Sequence, residues 1–127
     1  MTKEIIAPEN VVPARGYSHA VKVGNTIYVS GQGGIDPEGN VIEGDCGAQA
    51  HQAFENMKRV LEAAGATMQD VVKLNYYFTN IAEDLPKIAD AYRKYFGRHY
   101  PASTAVQVGS LVYPGLLLEL EAIAVID

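Results

Sequence analysis

Hydrophobic and polar residues follow two different periods along this chain. A period of two, typical of β-strands, predicts a first strand over residues 17–23. A period of three to four, typical of amphipathic helices, predicts helices over residues 45–64 and 85–96. Further strands are predicted where β-branched, aromatic and aliphatic residues cluster, over residues 26–30, 71–79, 103–108 and 116–126.

These elements follow one another in the order β-β-α-β-α-β-β, behind an extended lead-in over residues 1–16. Gly31 to Gly34 are predicted to begin a loop rich in turn residues. Asp45 is a suitable N-cap for the first helix, and Gly65 a suitable stop. Two helices and one mixed sheet predict an α+β fold in which both helices pack on one face of the sheet.

The last predicted strand is apolar on both faces. Leucine and alanine residues from 116 to 124 alternate with a second apolar set, Leu117, Ile123 and Val125. A strand of this kind is usually buried on both faces. Because two helices can cover only one face, we expect the other face to meet another subunit.

Length and composition predict one domain over residues 1–127, 48% hydrophobic and 20% charged. The formal net charge is -5 and the 10 Lys and Arg residues form no basic run, which argues against a nucleic-acid partner. A single cysteine, Cys46, excludes an intrachain disulfide and favours a reducing compartment. Since we find neither a signal peptide nor an apolar stretch of about 20 residues, we expect a cytoplasmic protein and no membrane partner.

Two kinds of binding site are disfavoured by spacing. The glycine-rich stretch Gly31–Gly34 lacks the dinucleotide-binding pattern, because Asp36 stands where the third glycine belongs. The three histidines, His19, His51 and His99, lie far apart and without metal-ligand spacing. We therefore expect neither a nucleotide cofactor nor a metal.

Two polar clusters are candidates for chemistry. Glu119 and Glu121 lie on one face of the last predicted strand, about 7 Å apart. They are either solvated acids beside the sheet or cleft carboxylates, one of which acts as general base; the pattern supports both equally. Tyr17, flanked by Arg15 and His19, forms the second cluster, for which the pattern favours a core-facing tyrosine with charged neighbours outside.

Several stretches together resemble the RidA (YjgF) family, whose older label is endoribonuclease L-PSP. The resemblance runs from about Pro13 to the C-terminus, and the closing Glu-x-Glu-Ala motif is fairly specific. The matching stretches are Arg15 to Val21, Val29 to Gln32, Ala48-Gln49-Ala50 through Asn56, Glu62 to Gly65, and Leu118 to Ala124.

The resemblance implies a chorismate-mutase-like fold, a homotrimer with clefts between subunits, and no cofactor or metal. It implies hydrolysis of imines and enamines such as 2-aminoacrylate to a 2-oxo acid and ammonia. Carried over by position, the water-activating glutamate is Glu119 and the cleft tyrosine is Tyr17, while Ser30 and Gly31 form the lining loop. The family arginine that holds the substrate carboxylate falls on Ser103.

The change from arginine to Ser103 places this chain in an arginine-lacking subgroup and leaves three functions open. The leading one is a RidA-like hydrolase, in which Arg15 or His19 is a candidate replacement cation for a small carboxylate substrate. The pattern itself favours surface or interface positions for both residues. The alternative is a non-catalytic trimer that binds a small metabolite as sensor or scavenger. The third, an endoribonuclease or translation inhibitor, is disfavoured by the acidic charge.

Overall fold

The computed structural model describes residues 2–127, in which six strands form one mixed sheet. The strands are β1 (Lys3–Ile6), β2 (Ala20–Val23), β3 (Thr26–Gly33), β4 (Val71–Phe78), β5 (Ala102–Gln107) and β6 (Leu118–Val125). Their spatial order is β1-β2-β3-β6-β4-β5, antiparallel throughout except for the parallel pair β4–β5.

Two helical segments lie on one face of this sheet. Helix α1 (Cys46–Ala63) begins where expected, because the Asp45 side chain accepts a hydrogen bond from the backbone N–H of Ala48 at 3.0 Å. The second segment consists of α2 (Ile81–Asp84), a 3-10 turn (Leu85–Ile88) and α3 (Ala89–Phe96). Pro86 lies in the 3-10 turn, where its missing N–H interrupts regular α-helical hydrogen bonding.

The core lies between the helices and the sheet. Phe54 of α1 is fully buried and packs edge-on against Tyr76 of β4 and Phe96 of α3. Alternate residues of β6 complete this layer, namely Leu118, Leu120, Ala122 and Ala124. The predicted α+β class with helices on one sheet face is therefore confirmed.

Strand boundaries differ from the sequence-based predictions at the N-terminal half. The lead-in contains β1, which pairs with β2, so the order begins with three strands rather than two. The predicted first strand starts at Ala20 and not at residue 17, and residues 17–19 lie in irregular backbone. Gly31 to Gly33, predicted as a loop, continue β3 because Gln32 and Gly33 pair with β6.

The sheet face away from the helices carries a mixed surface. Ile5, Val21, Tyr28 and Ile123 lie in register across four strands and form an apolar row. Ile5 is 61% exposed and Tyr28 51% exposed. We call this surface the open face.

Among the described residues, no helix has the length and apolar character needed to cross a membrane.

Candidate functional site

A cavity of about 350 Å³ lies where β3 loses its β2 neighbour. Within β3, only residues 26–29 pair with β2. Residues 30–33 of β3 therefore have β6 on one side and an irregular segment on the other. That segment, residues 12–19, forms one wall of the cavity. Residues 112–116 contribute to another wall, and β6 contributes Glu119.

Glu119 is the acidic group of this cavity. No described group in residues 2–127 donates it a hydrogen bond or forms a salt bridge with it. Burial raises the pKa of its carboxyl, and the nearby charge of Glu121 raises the pKa further. A half-buried carboxylate with a raised pKa and no internal partner is suited to accept a proton from bound water.

Glu121 lies on the same face of β6 but in a different environment. It accepts hydrogen bonds from the Tyr77 hydroxyl at 2.5 Å and from the Asn75 side-chain amide at 3.3 Å. The prediction that the two acids share a face is confirmed. Of the two, only Glu119 lines the cavity, so the two carboxylates lie in different environments.

A β-bulge brings the backbone of β3 against Glu119. Val29 pairs with Ala122 and Gln32 with Leu120, so Ser30 and Gly31 together stand opposite a single residue of β6. A Cβ atom at Gly31 would lie 2.7 Å from the Glu119 Cδ atom and would overlap its Oε1. The carboxylate therefore occupies the space that a side chain at Gly31 would fill.

Arg15 and Tyr17 lie together on the irregular segment and line the same cavity. Arg15 is exposed and forms no hydrogen bond or ion pair with any residue the structure describes. Burial raises the pKa of the Tyr17 phenol, with smaller contributions from Tyr113 and Glu119. Tyr17 therefore keeps its proton near neutral pH and can act as a hydrogen-bond donor. Its partial exposure corrects the expectation of a core-facing tyrosine.

His19 also lines the cavity, although both of its ring nitrogens are already engaged. Nε2 lies 2.6 Å from the carbonyl oxygen of Val12, and Nδ1 lies 3.1 Å from the Gln32 amide nitrogen. Ser30 is held in the same way: its hydroxyl donates to the Ser18 carbonyl at 2.5 Å, and its N–H donates to the His19 carbonyl at 2.9 Å.

Ser103 is not brought into the cavity of its own chain. It pairs with Leu74 and so lies on the opposite sheet face from Glu119, which pairs with Tyr77. Two strand spacings, about 10 Å, also separate β5 from β6. Ser103 can reach a site of this kind only as part of another copy of the chain.

Sequence patterns gave no role to the buried amides that shape the cavity. Gln49 donates to the Gly115 carbonyl at 2.8 Å and accepts from the Leu117 N–H at 2.8 Å, which fixes the approach to β6. Asn56 donates to the carbonyl groups of Gly33 and Ile35. Polar residues inside the apolar stripe of α1 were the signal that could have revealed these anchors.

The remaining candidates are structural. Cys46 is buried, and burial raises the pKa of its thiol to about 12, as expected for a small core residue rather than a reactive thiol. His99 contacts the Val71 carbonyl at 2.7 Å, and His51 packs edge-on against Tyr95. Among residues 2–127, we find no cluster of three or more side chains suited to a metal ion.

The fold and the acid-lined cavity define a class of small α+β proteins. The family described as Endoribonuclease L-PSP matches residues 8–126, and the chain belongs to this family, also known as RidA or YjgF. A RutC family protein of Pyrococcus abyssi is 44% identical over 98% of both chains. A 2-iminobutanoate/2-iminopropanoate deaminase of Dermatophagoides farinae is 42% identical, covering 96% of this chain and 92% of the relative.

Solved structures show the same similarity. RidA from the Antarctic bacterium Psychrobacter sp. superposes with a TM-score of 0.89 and 42% identity, over 97% of this chain and 99% of that one. Agreement over nearly the whole length means that the cavity belongs to the shared fold and not to an added segment.

Proposed function

We propose that this protein hydrolyses small reactive imines or enamines of the 2-aminoacrylate type to a 2-oxo acid and ammonia. The observation that carries the proposal is one cavity that holds an unpaired carboxylate, Glu119, together with an unpaired guanidinium, Arg15. The similarity to a named 2-iminobutanoate/2-iminopropanoate deaminase supports the same chemistry.

In the proposed reaction, Glu119 accepts a proton from a water molecule as the water oxygen attacks the imine carbon. A tetrahedral intermediate forms, in which one carbon holds a hydroxyl and an amino group. The imine reacts in its protonated iminium form, so the nitrogen of this intermediate already carries two hydrogens. Glu119 then returns its proton to that nitrogen, and the carbon–nitrogen bond breaks to release ammonia. The hydroxyl proton passes to the Glu119 carboxylate as the carbonyl of the 2-oxo acid forms. The balance is one imine and one water to one 2-oxo acid and one ammonia, with no cofactor required.

Arg15 is proposed to bind the substrate carboxylate in this arginine-lacking relative. Its guanidinium offers paired donors to a carboxylate, whereas Ser103 offers a single neutral hydroxyl. Tyr17, Ser30 and Gly31 line the rest of the site.

We also propose a homotrimer with clefts between subunits. The apolar row of the open face supports this, since a surface containing exposed Ile5, Tyr28 and Val125 is suited to contact another copy. Ser103, on the far edge strand, would then line a neighbour's cleft. Light scattering should give about three times the chain mass of 13.7 kDa; a monomer would contradict this assembly.

We also propose a cytoplasmic location, with which the free Cys46 is consistent.

The test is release of ammonia and 2-oxo acid from imino acids generated in situ by an amino-acid oxidase. Glu119→Ala should abolish the release. Arg15→Ala should lower kcat/KM about 10- to 100-fold, mainly through KM, because a charged hydrogen bond is lost. Arg98→Ala, which removes an exposed arginine outside the cavity, is the matched control.

Ser103→Arg separates the deaminase from the second candidate, a non-catalytic trimer that binds a small metabolite. That candidate is favoured by the serine at the family arginine position. An inactive native protein that gains activity with Ser103→Arg would indicate a scaffold adapted to another ligand. Inactivity of every variant, with retained binding of small carboxylates, would favour the binding protein.

A further inference from the structure

His19 and Gln32 form a buried polar pair behind the cavity wall. Each is only 3% exposed, although both lie beside an open cavity. Buried polar side chains persist in a fold when their hydrogen bonds are satisfied, and satisfied networks fix local geometry. The segment that ends at His19, residues 12–19, has no regular secondary structure to hold it.

The hydrogen bonds of this pair define which nitrogen of His19 carries the proton. The Gln32 amide nitrogen lies 3.3 Å from the Ser30 carbonyl oxygen, which can only accept, so this end of the amide is the NH₂ group. Its second hydrogen is directed to His19 Nδ1, which must therefore be an unprotonated acceptor. The ring proton lies on Nε2 and is donated to the Val12 carbonyl.

We propose that His19, as a neutral imidazole protonated at Nε2, is the positioning residue of the site. Its bond to Val12 ties the two ends of residues 12–19 together, and we call this closed segment the strap. Ser30 supplies the other anchor through Ser18. The strap carries Arg15 and Tyr17, which line the cavity together with Glu119.

The same hydrogen bonds do not allow His19 to be the replacement cation. A doubly protonated ring would place an N–H against the NH₂ group of Gln32, and two donors cannot form a hydrogen bond. The Tyr17 ring packs edge-on against His19 with 5.7 Å between centroids, so the imidazole also supports the tyrosine directly. The consequence for catalysis rests on the proposed deaminase function; the strap itself does not.

Two measurements test the strap without any substrate. The ¹⁵N chemical shifts of the imidazole should show Nε2 protonated and Nδ1 unprotonated at neutral pH, with the signals assigned by their loss in His19→Gln. Trypsin cleaves after Arg15, so its rate at Arg15–Gly16 reports on opening of the strap. His19→Phe keeps a ring but no donor and should raise this rate about tenfold, whereas cleavage after Arg98 should not change.

His19→Gln is the conservative variant, since its amide can still donate to the Val12 carbonyl. It should return the cleavage rate close to that of the native protein. In the deaminase assay, His19→Phe should raise KM more than it lowers kcat, because Arg15 and Tyr17 bind substrate. A protonated Nδ1, or unchanged cleavage in His19→Phe, would overturn the inference. A confirmed strap in a protein without deaminase activity would overturn only the proposed function.

Discussion

The close approach of Glu119 to Gly31 can be tested by adding one methyl group. An alanine Cβ at this position would lie 2.7 Å from the Glu119 Cδ atom, whereas carbon atoms normally pack at about 3.5–4.0 Å. Gly31 does not have a positive φ, so alanine introduces no backbone strain. The carboxylate is the flexible end of a side chain, and we expect it to move out of the cavity.

The expected result of Gly31→Ala is therefore a loss of activity without a matching loss of stability. Removing a positioned general base typically costs about 10²- to 10⁴-fold in rate. The thermal midpoint should change little, because no core contact is removed and about 0.5 kcal/mol is typical of such substitutions. The assay is ammonia release under saturating substrate, with thermal unfolding of the same preparation.

Two other glycines provide matched controls for this substitution. At Gly34 a Cβ atom would lie 2.8 Å from the Gln49 Cα atom in helix α1, which cannot move, so Gly34→Ala should lower stability. At Gly109 nothing lies within 4 Å, so Gly109→Ala should change neither property. Native kcat in Gly31→Ala would refute the placement of Glu119 as the base held against the bulge.

Three further predictions concern single side chains. Glu119→Gln should abolish activity yet raise the thermal midpoint at neutral pH, because a carboxyl with a raised native pKa destabilises the fold once pH rises above that pKa. Glu121→Gln should shift the acid limb of the pH–rate profile to lower pH, since the Glu121 charge helps to raise the Glu119 pKa; an unmoved limb would contradict that coupling. Asp45→Ala should cost about 1 kcal/mol in denaturant unfolding by removing the α1 cap, whereas the exposed Asp90→Ala should cost little.

The helical layer could be predicted from sequence because its signals are local. The apolar stripe of α1 and its Asp45 cap depend on residues within a few positions of one another. The second helix was predicted to start at residue 85, whereas the helical segment begins at Ile81 and contains a 3-10 turn at Pro86. Local chemistry thus defines the buried face of a helix, and it defines the start where a side-chain cap such as Asp45 is present.

Strand β1 could not be predicted because nothing local defines it. Three of its four residues are exposed, and it is a strand only because it pairs with β2. The glycines of β3 caused the opposite error, because strand residues were predicted to be a loop. They favour a loop when seen in isolation, yet Gly33 pairs with Glu119 and Gly31 lies in the bulge that receives its carboxylate. Their lack of side chains serves close packing and not a turn.

The two acids of β6 could not be distinguished from the sequence. Glu119 and Glu121 both have small or medium-sized apolar neighbours in sequence, and alternation places them on one face. Their environments are divided by β4: Tyr77 stands directly opposite Glu119 in register, but its hydroxyl donates to Glu121. Glu121 is thereby occupied, while Glu119 lies half-buried against the bulge with a raised pKa and a free face toward the cavity. Cross-strand contacts that no spacing reveals thus engage Glu121 and leave Glu119 without a partner among the described residues, which supports the proposed role of Glu119 as the base.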